Sequence, residues 1–535
     1  MTVDTINQKL VILALLCAFI FQSYLSLSTQ SATFDEVQYF GIGKYLLTTH
    51  RWDVMGAILH PPLPYYLNSI PLLFVKQPQH VWEYEAGIVR DRAFLGAVDF
   101  FRGQALLSDN SNRNDRLLIA SRLMTTFLSL LLGWYVYRFS SELYGEKGGV
   151  LSAVLFAFNP SMLAFSGLIV PDMPLTVFSF IALYYVWRSL NSDNSRNPLA
   201  GGLFLGCALL SKFTALLLIP LVVLSFLAAM YSRKRNLAPR LLLVLTVALL
   251  VLLIGYGFDL RPYYEGIMFQ MEKSRTGQAA FLMGQHSDHS WWYFYPLAFL
   301  LKTPIAVTAL FISATVLMVT GKRKGGFDVL YLLAPIMLTI LFFTVAGGAI
   351  GVRYLLPVYP FIFVAIGSLC TQGTAIRRLA YCLSAWCVAA ALYVSPHYLA
   401  YFNEAAGGPA QGYNYLVDSN LDWGQDLIGL KRFMEINGIR RISLSYFGAD
   451  APQRYGIAYD WLPSHYLYNP GPEKDVSIPP GQLIAVSATN LQGVYLVSPG
   501  EYAWLRSHEP VAKIGYSIFV YDLQGNRKYK QAGRW

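Results

Sequence analysis

The chain of 535 residues carries 41 Lys and Arg against 31 Asp and Glu, a formal net charge of +10, and is 55% hydrophobic but only 13% charged. Soluble domains run at about 45–50% and about 25%; this excludes a water-soluble globule, and a disordered or nucleic-acid-binding chain would need far more charge. The composition is that of a polytopic α-helical membrane protein. Its five cysteines (Cys17, Cys207, Cys370, Cys382 and Cys387) fall in apolar runs, without the pattern of a disulfide framework or a zinc site.

A helix needs about 20 apolar residues to cross roughly 30 Å of hydrocarbon. On that criterion the sequence predicts about eleven spans: 10–28, 117–138, 148–166, 171–189, 199–212, 214–231, 239–258, 304–320, 328–346, 354–371 and 378–394. The first is too long for a cleaved signal peptide, is preceded only by Lys9 and has no small-residue cleavage site after it. Spans 199–212 and 214–231 share one apolar run broken at Ser211–Lys212, the pattern of a tilted hairpin.

Lys and Arg in short loops set the orientation. With the N-terminus cytoplasmic, the inside loops hold Arg138 and Lys147, then Arg188 and Arg196. They go on with Arg233, Lys234, Arg235 and Arg240, then Lys322, Arg323 and Lys324, and finally Arg377 and Arg378. The opposite short loops, near 167–171 and 347–352, hold none. The reading is a multi-pass protein of the cell (inner or plasma) membrane. These clusters also account for much of the net charge, so no nucleic-acid partner is needed.

Two domains follow from this layout. A transmembrane domain, 1–394, has outer loops at 29–116 and 259–303, and an extracytoplasmic soluble α/β domain occupies 395–535. In the first outer loop, HPPLPYYLNSIPLLF (60–74) is too short to span and suits a helix lying in the interface. The tail pairs a helix-like run (426–437) with β-rich segments at 441–447, 481–488 and 517–523.

Ionisable groups at membrane depth are costly, so each is a functional candidate. Asp35 and Glu36 follow the first span, Arg122 lies in the outer turns of the second, and Asp172 sits in the turn VPDMP. Lys212 marks the apex of the hairpin, Lys302 precedes Pro304, and Arg353 opens the tenth span. Singly, the cations could snorkel to headgroups and Asp172 could cap a helix. Together they place acids and bases at one depth on one side. Such a cluster suits a lipid-linked phosphate: Lys and Arg neutralise it and the charge it gains on leaving, and a carboxylate takes the proton of an incoming hydroxyl. The matching reaction is transfer of a sugar from a polyprenyl-phosphate carrier to an acceptor hydroxyl.

The sequence resembles the membrane-embedded GT-C type glycosyltransferases, in particular the protein O-mannosyltransferases (glycosyltransferase family 39) and the related aminoarabinose transferases. The pieces that carry the resemblance are FDE (34–36), HPPL (60–63), SRL (121–123), NPSMLAFSGLIVPDMPLTVF (159–178), LLSKFTALLLIP (209–220), WWYFYPLAFLLKTP (291–304) and GVRYLLPVYP (351–360). In the tail, YFNEAAGGP, YLVDSNLDWGQDL and IGYSIFVYDL are similar to bacterial members. The resemblance implies a polyprenyl-phosphate-linked donor, inversion at the anomeric carbon, and catalysis by Asp35 as base, with Glu36 orienting the acceptor or sugar. It implies that Arg122, Lys212, Arg353 and Lys302 hold the lipid phosphate, and that Asp172 binds the acceptor or supports the base. His60, Trp291 and Trp292 are expected against the sugar or headgroup. The tail lacks the β-trefoil insert of eukaryotic protein mannosyltransferases, which favours a bacterial or archaeal member.

DSNLDWGQD (418–426) begins like a calcium loop, but Gly424 is misplaced for the loop's turn and Gly429 stands where its bidentate Glu belongs. His286, Asp288 and His289 are poorly spaced for a metal, no cofactor is required for a single displacement, and a divalent ion is left open. The Gly-Gly pairs at 148–149, 201–202 and 347–348 suit helix packing or turns. The competing reading is a flippase or transporter of polyprenyl-linked lipids, which would place charge at the midplane within paired repeats. The sugar stays undetermined, and so does the acceptor, whether protein, lipid or glycan.

Overall fold

The computed structural model describes residues 3–52, 54–75, 92–108, 114–321, 326–346, 348–464, 481–525 and 529–530. All eleven apolar segments are helical. Among the described residues, eight helical stretches are long and apolar enough to cross a membrane: Lys9–Thr29, Asp115–Tyr144, Asp172–Asn191, Phe213–Arg233, Ala238–Gly255, Gly326–Ala346, Val352–Thr371 and Thr374–Val394. A ninth is reached if Phe294–Lys302 and Ile305–Thr320, bent by 113°, count as one. The bend falls at Thr303–Pro304, where Thr303 is extended, as the residue before a proline tends to be.

Two expected spans come out short. Segment 148–166 divides into Glu146–Ala157 and Pro160–Phe165. Asn159 restarts the helix by accepting a hydrogen bond from the Met162 N–H at 3.1 Å, with Pro160 in the first turn. Segment 199–212 is the 14-residue helix Arg196–Leu209, which stops just before Ser211–Lys212. The chain resumes as a 3-10 turn, Phe213–Leu217, and the helix Leu218–Arg233, so the break at Ser211–Lys212 is where the sequence puts it. The two helices do not pair as a hairpin, because Arg196–Leu209 packs on Asp172–Asn191 and Ala238–Gly255 instead. The interfacial piece of the first loop becomes a helix, Leu63–Ser69, and a 3-10 turn, Ile70–Phe74.

The basic loops meet at one end of the bundle. Arg138 and Arg188 both reach Glu142, at 3.2 and 3.8 Å. Arg233 bonds the Leu190 carbonyl and Asn191, and Arg235 and Arg240 bond Asp193. The Cys370 thiol donates to the Lys147 carbonyl at 3.4 Å and so joins the loop that leads to Arg377. Lys322, Arg323 and Lys324 lie outside the described residues, as does Gly347 of the third glycine pair.

The tail folds into a five-stranded mixed sheet, in the order Tyr459–Trp461, Ile442–Ser445, Ile484–Ser487, Ile518–Tyr521, Ala512–Ile514. The first two pairings are parallel and the last two antiparallel. Side chains alternate along each strand, which gives the sheet two apolar faces. Ala485, Ile518 and Val520 pack with Leu427, Leu430 and Phe433 of the helix Leu427–Ile436. Ile484, Val486, Phe519 and Tyr521 turn the other way, into the core shared with the membrane helices. The sheet is thus clamped onto the bundle rather than tethered beside it.

Candidate active site

Tight packing at the start of the chain fixes the position of Asp35. The short helix Phe34–Tyr39 lies so close to Arg92–Ser108 that a Cβ on Gly103 would sit 1.7 Å from the Val37 carbonyl oxygen. Arg122 anchors it from below: Nε and Nη2 bond Glu36 at 2.9 and 2.6 Å. Its remaining donors reach the carbonyls of Leu27, Gln30 and Ser31 at 2.8–3.0 Å. Glu36 also accepts from the Thr33 and Ile169 N–H groups, at 2.9 and 3.0 Å. Burial alone would raise the Glu36 carboxyl, but the Arg122 charge and these hydrogen bonds win and hold it below its ordinary value. From above, the tail reaches the same helix: Phe34 N–H donates to the Trp423 carbonyl at 2.8 Å, and Ser31 N–H to that of Gln425 at 2.9 Å.

Asp35 points the other way, into a cavity of about 640 Å³. Its Oδ2 accepts from Arg353 Nη1 at 2.7 Å. The same nitrogen is 3.9 Å from Asp172 Oδ2, and Lys212 Nζ bonds Asp172 Oδ1 at 2.7 Å. Acid, base, acid and base therefore form one chain along the cavity wall. Asp172 is at the first turn of its helix, Lys212 at the break between Arg196–Leu209 and Phe213–Leu217, and Arg353 at the start of the 3-10 segment Val352–Val358. Aromatic faces steady the cations: Arg353 lies 4.4 Å over Trp423, and Lys212 lies 3.8 Å over Tyr354. Asp172 Oδ2 and Arg353 Nε are buried without a hydrogen-bond partner, so the row has polar capacity left for a ligand.

His60 also lines the cavity. Burial, with Lys212, Arg353 and Lys273 nearby, pushes its imidazole well below the usual value of 6.5, which keeps it neutral. The tail adds Asp418, Trp423, Phe447 and Tyr495 to the wall. Phe34, Phe447 and Tyr495 stack in series, with ring centroids 5.4 and 5.6 Å apart. Asp418 accepts from the Tyr495 hydroxyl at 2.6 Å and from the Ser419 N–H at 2.5 Å. Burial outweighs those bonds and raises its carboxyl to about 6, with Arg353 lowering it and Asp35 raising it.

The structure therefore divides the residues singled out from sequence. Asp35, Asp172, Lys212, Arg353 and His60 share the cavity. Glu36 and Arg122 do not: they face each other, fully buried, and all five guanidinium donors are spent on protein. Lys302 is also absent from the lining, because its ammonium is buried against the Leu399 and Asn420 carbonyls at 2.8 and 2.5 Å. Trp291 packs against the core and Trp292 is exposed, so the loop sends His289 and Ser290 into the cavity instead.

The calcium-like run is used otherwise. Asp418 lines the cavity, Asp422 accepts from the Thr489 N–H at 2.8 Å, and Asp426 accepts from Ser517 at 2.6 Å and Gln425 at 3.0 Å. His286 bonds the Gln492 carbonyl at 2.7 Å. Among the described residues, no three His, Cys, Asp or Glu side chains converge as a metal site. Phe447 and Tyr495 had no distinguishing signal in sequence; Asp418 stood out as the start of the calcium-like run and within a piece that carries the resemblance, though not as part of this cavity.

Residues 114–256 match the family model described as dolichyl-phosphate-mannose-protein mannosyltransferase. That segment carries Arg122, Asp172 and Lys212. Among solved structures the chain is similar to ArnT from Cupriavidus metallidurans bound to undecaprenyl phosphate, at 12% identity and a TM-score of 0.50 over 95% of this chain and 97% of that one. The same protein in the apo state gives the same values. A further structure, the Archaeoglobus fulgidus oligosaccharyltransferase complex with zinc and sulfate, is 13% identical with a TM-score of 0.43, covering 78% of this chain and 55% of that one. A search among curated proteins gives no match. In fold over nearly its whole length, and in sequence over residues 114–256, the chain is similar to the GT-C type membrane glycosyltransferases.

Proposed function

We propose that the protein transfers a sugar from a polyprenyl-phosphate-linked donor to an acceptor hydroxyl at the extracytoplasmic face of the cell membrane, with inversion. The observation that carries this reading is the charged row Asp35–Arg353–Asp172–Lys212 on the wall of one cavity. The basic loops gathered at the opposite end support a cytoplasmic N-terminus and an external tail. A neighbour in fold, ArnT, binds undecaprenyl phosphate, which supports a donor of that class.

The row explains how the step proceeds. Without donor, Arg353 and Lys212 are paired with Asp35 and Asp172, with Arg353 Nε left over. A donor phosphate competes for both cations, which loosens Asp35 from Arg353 and leaves its carboxylate free to act as base. The acceptor oxygen attacks the anomeric carbon while its proton passes to Asp35. The bond from that carbon to the phosphate oxygen breaks, and the electron pair leaves on the phosphate, where Arg353 and Lys212 stabilise the added charge. Asp172 holds the two cations apart and in place. Neutral His60 and the carboxylate of Asp418 hydrogen-bond the sugar and the acceptor hydroxyl. Glu36 and Arg122 position Asp35 and touch no substrate.

Asp35→Asn tests the assignment. It is expected to lower transfer from a polyprenyl-phosphate sugar in membranes by about 10²–10⁴-fold while leaving the protein folded and inserted. Wild-type turnover in that variant would show that the base lies elsewhere. Stoichiometric lipid movement without transfer would favour a flippase.

A further inference from the structure

A second cavity lies at the opposite end of the bundle. It is a groove of about 480 Å³ between the helices Glu146–Ala157 and Thr374–Val394. Val150, Leu151, Val154, Ala385 and Val388 line its length, and Lys147 and Tyr381 stand at one end. The Cys370 thiol lies 3.4 Å from the Lys147 carbonyl and 4.0 Å from the Tyr381 hydroxyl, which ties Lys147 to that end of Thr374–Val394. Arg377 stands one helical turn before Tyr381 on the same face, beyond the lining and at the same mouth, and exposed Arg378 follows it. These cations occupy the first turns of their helices, where they gain nothing from the helix dipole. The one acid in the lining, Glu146, is bonded by the Tyr137 hydroxyl.

An apolar trough between membrane helices with a basic mouth has the complementarity of a lipid that has an acyl chain and an anionic head. We propose that this groove is a binding site for an anionic membrane phospholipid, whose phosphate meets Lys147 and Arg377 and whose acyl chain lies along Val150, Val154 and Val388. The site is separate from the charged row, and its occupant stays bound as a structural lipid. A second copy of the chain is the competing occupant; the open basic mouth favours the lipid.

Native mass spectrometry of the full-length protein, exchanged into detergent with phosphatidylglycerol or phosphatidylcholine, tests this without any transfer assay, so it stands or falls independently of the proposed function. The wild type is expected to retain one phosphatidylglycerol in preference to phosphatidylcholine. Lys147→Gln combined with Arg377→Gln is expected to weaken that retention by more than about tenfold, each lost cation contributing about fivefold. Ala385→Trp, which fills the groove and leaves the cations, is expected to abolish it. Equal retention of the two lipids, unchanged retention in the double glutamine variant, or a change of oligomeric state in Ala385→Trp without loss of lipid would each overturn the proposal.

Discussion

Glu36 and Arg122 are both fully buried side chains, and among the described residues each supplies the other's only countercharge. Removing one partner of such a pair leaves a buried charge uncompensated, at a cost of about 3–5 kcal/mol. Glu36→Gln is therefore expected to lower thermal stability in detergent sharply, and Glu36→Gln with Arg122→Met to regain part of the loss. Asp35→Asn, next door, keeps an oxygen for Arg353 and leaves Asp172 beside that cation, so it should lower stability less than Glu36→Gln. A second residue sets a pH dependence. Burial raises the Asp422 carboxyl from 3.8 to about 8, against the pull of its Thr489 hydrogen bonds. The folded state then keeps a proton that the unfolded chain releases, so this group's contribution to stability is fullest below its unfolded value and declines as pH rises toward about 8. Asp422→Asn keeps an oxygen for the Thr489 N–H and removes the titration. Its melting temperature should fall less than that of the wild type between about pH 5 and about pH 9; an equal fall would place the titrating group elsewhere.

At the scale of elements, the stretch from Asp418 to Asp426 is the piece that joins tail and bundle. With the Asp418 carboxyl raised to about 6, transfer measured as kcat/KM should fall as pH drops through that value, because the protonated acid is a much weaker acceptor for the acceptor hydroxyl than the carboxylate. Asp418→Asn should lower transfer about tenfold or more and flatten that limb; a variant that keeps both rate and limb would remove Asp418 from the site. This stretch also shows where sequence reading stops. The charges at helix boundaries were legible because ionisable groups near hydrocarbon need a reason to be there. Which of two adjacent acids faces the cavity was not: one residue along a helix turns a side chain by about 100°, and that turn separates Asp35 from Glu36. Arg122 and Arg353 likewise look alike in sequence and differ only in what surrounds them. The division of 148–166 could be anticipated at Asn159–Pro160. Trp423 could not be preferred over Trp291 and Trp292, because its place depends on docking between residues almost four hundred positions apart.

On the scale of the whole molecule, the tail presses one apolar face of its sheet onto the bundle and, from the segments before and between the strands, contributes Asp418, Trp423, Phe447 and Tyr495 to the cavity. Ending the chain after residue 394 should leave a protein that still inserts in membranes but transfers no sugar, measured with the same polyprenyl-phosphate donor. Retained activity would mean that the tail only covers the site. The arrangement also has a consequence for how the molecule is made. Asp35 near the N-terminus and the part of the wall that the tail supplies are separated by most of the ribosomal transit, with every membrane crossing but the first completed between them. A polypeptide that lacks the tail therefore has a vestibule open on one side, and the chamber closes only once the last part of the chain has crossed and docked.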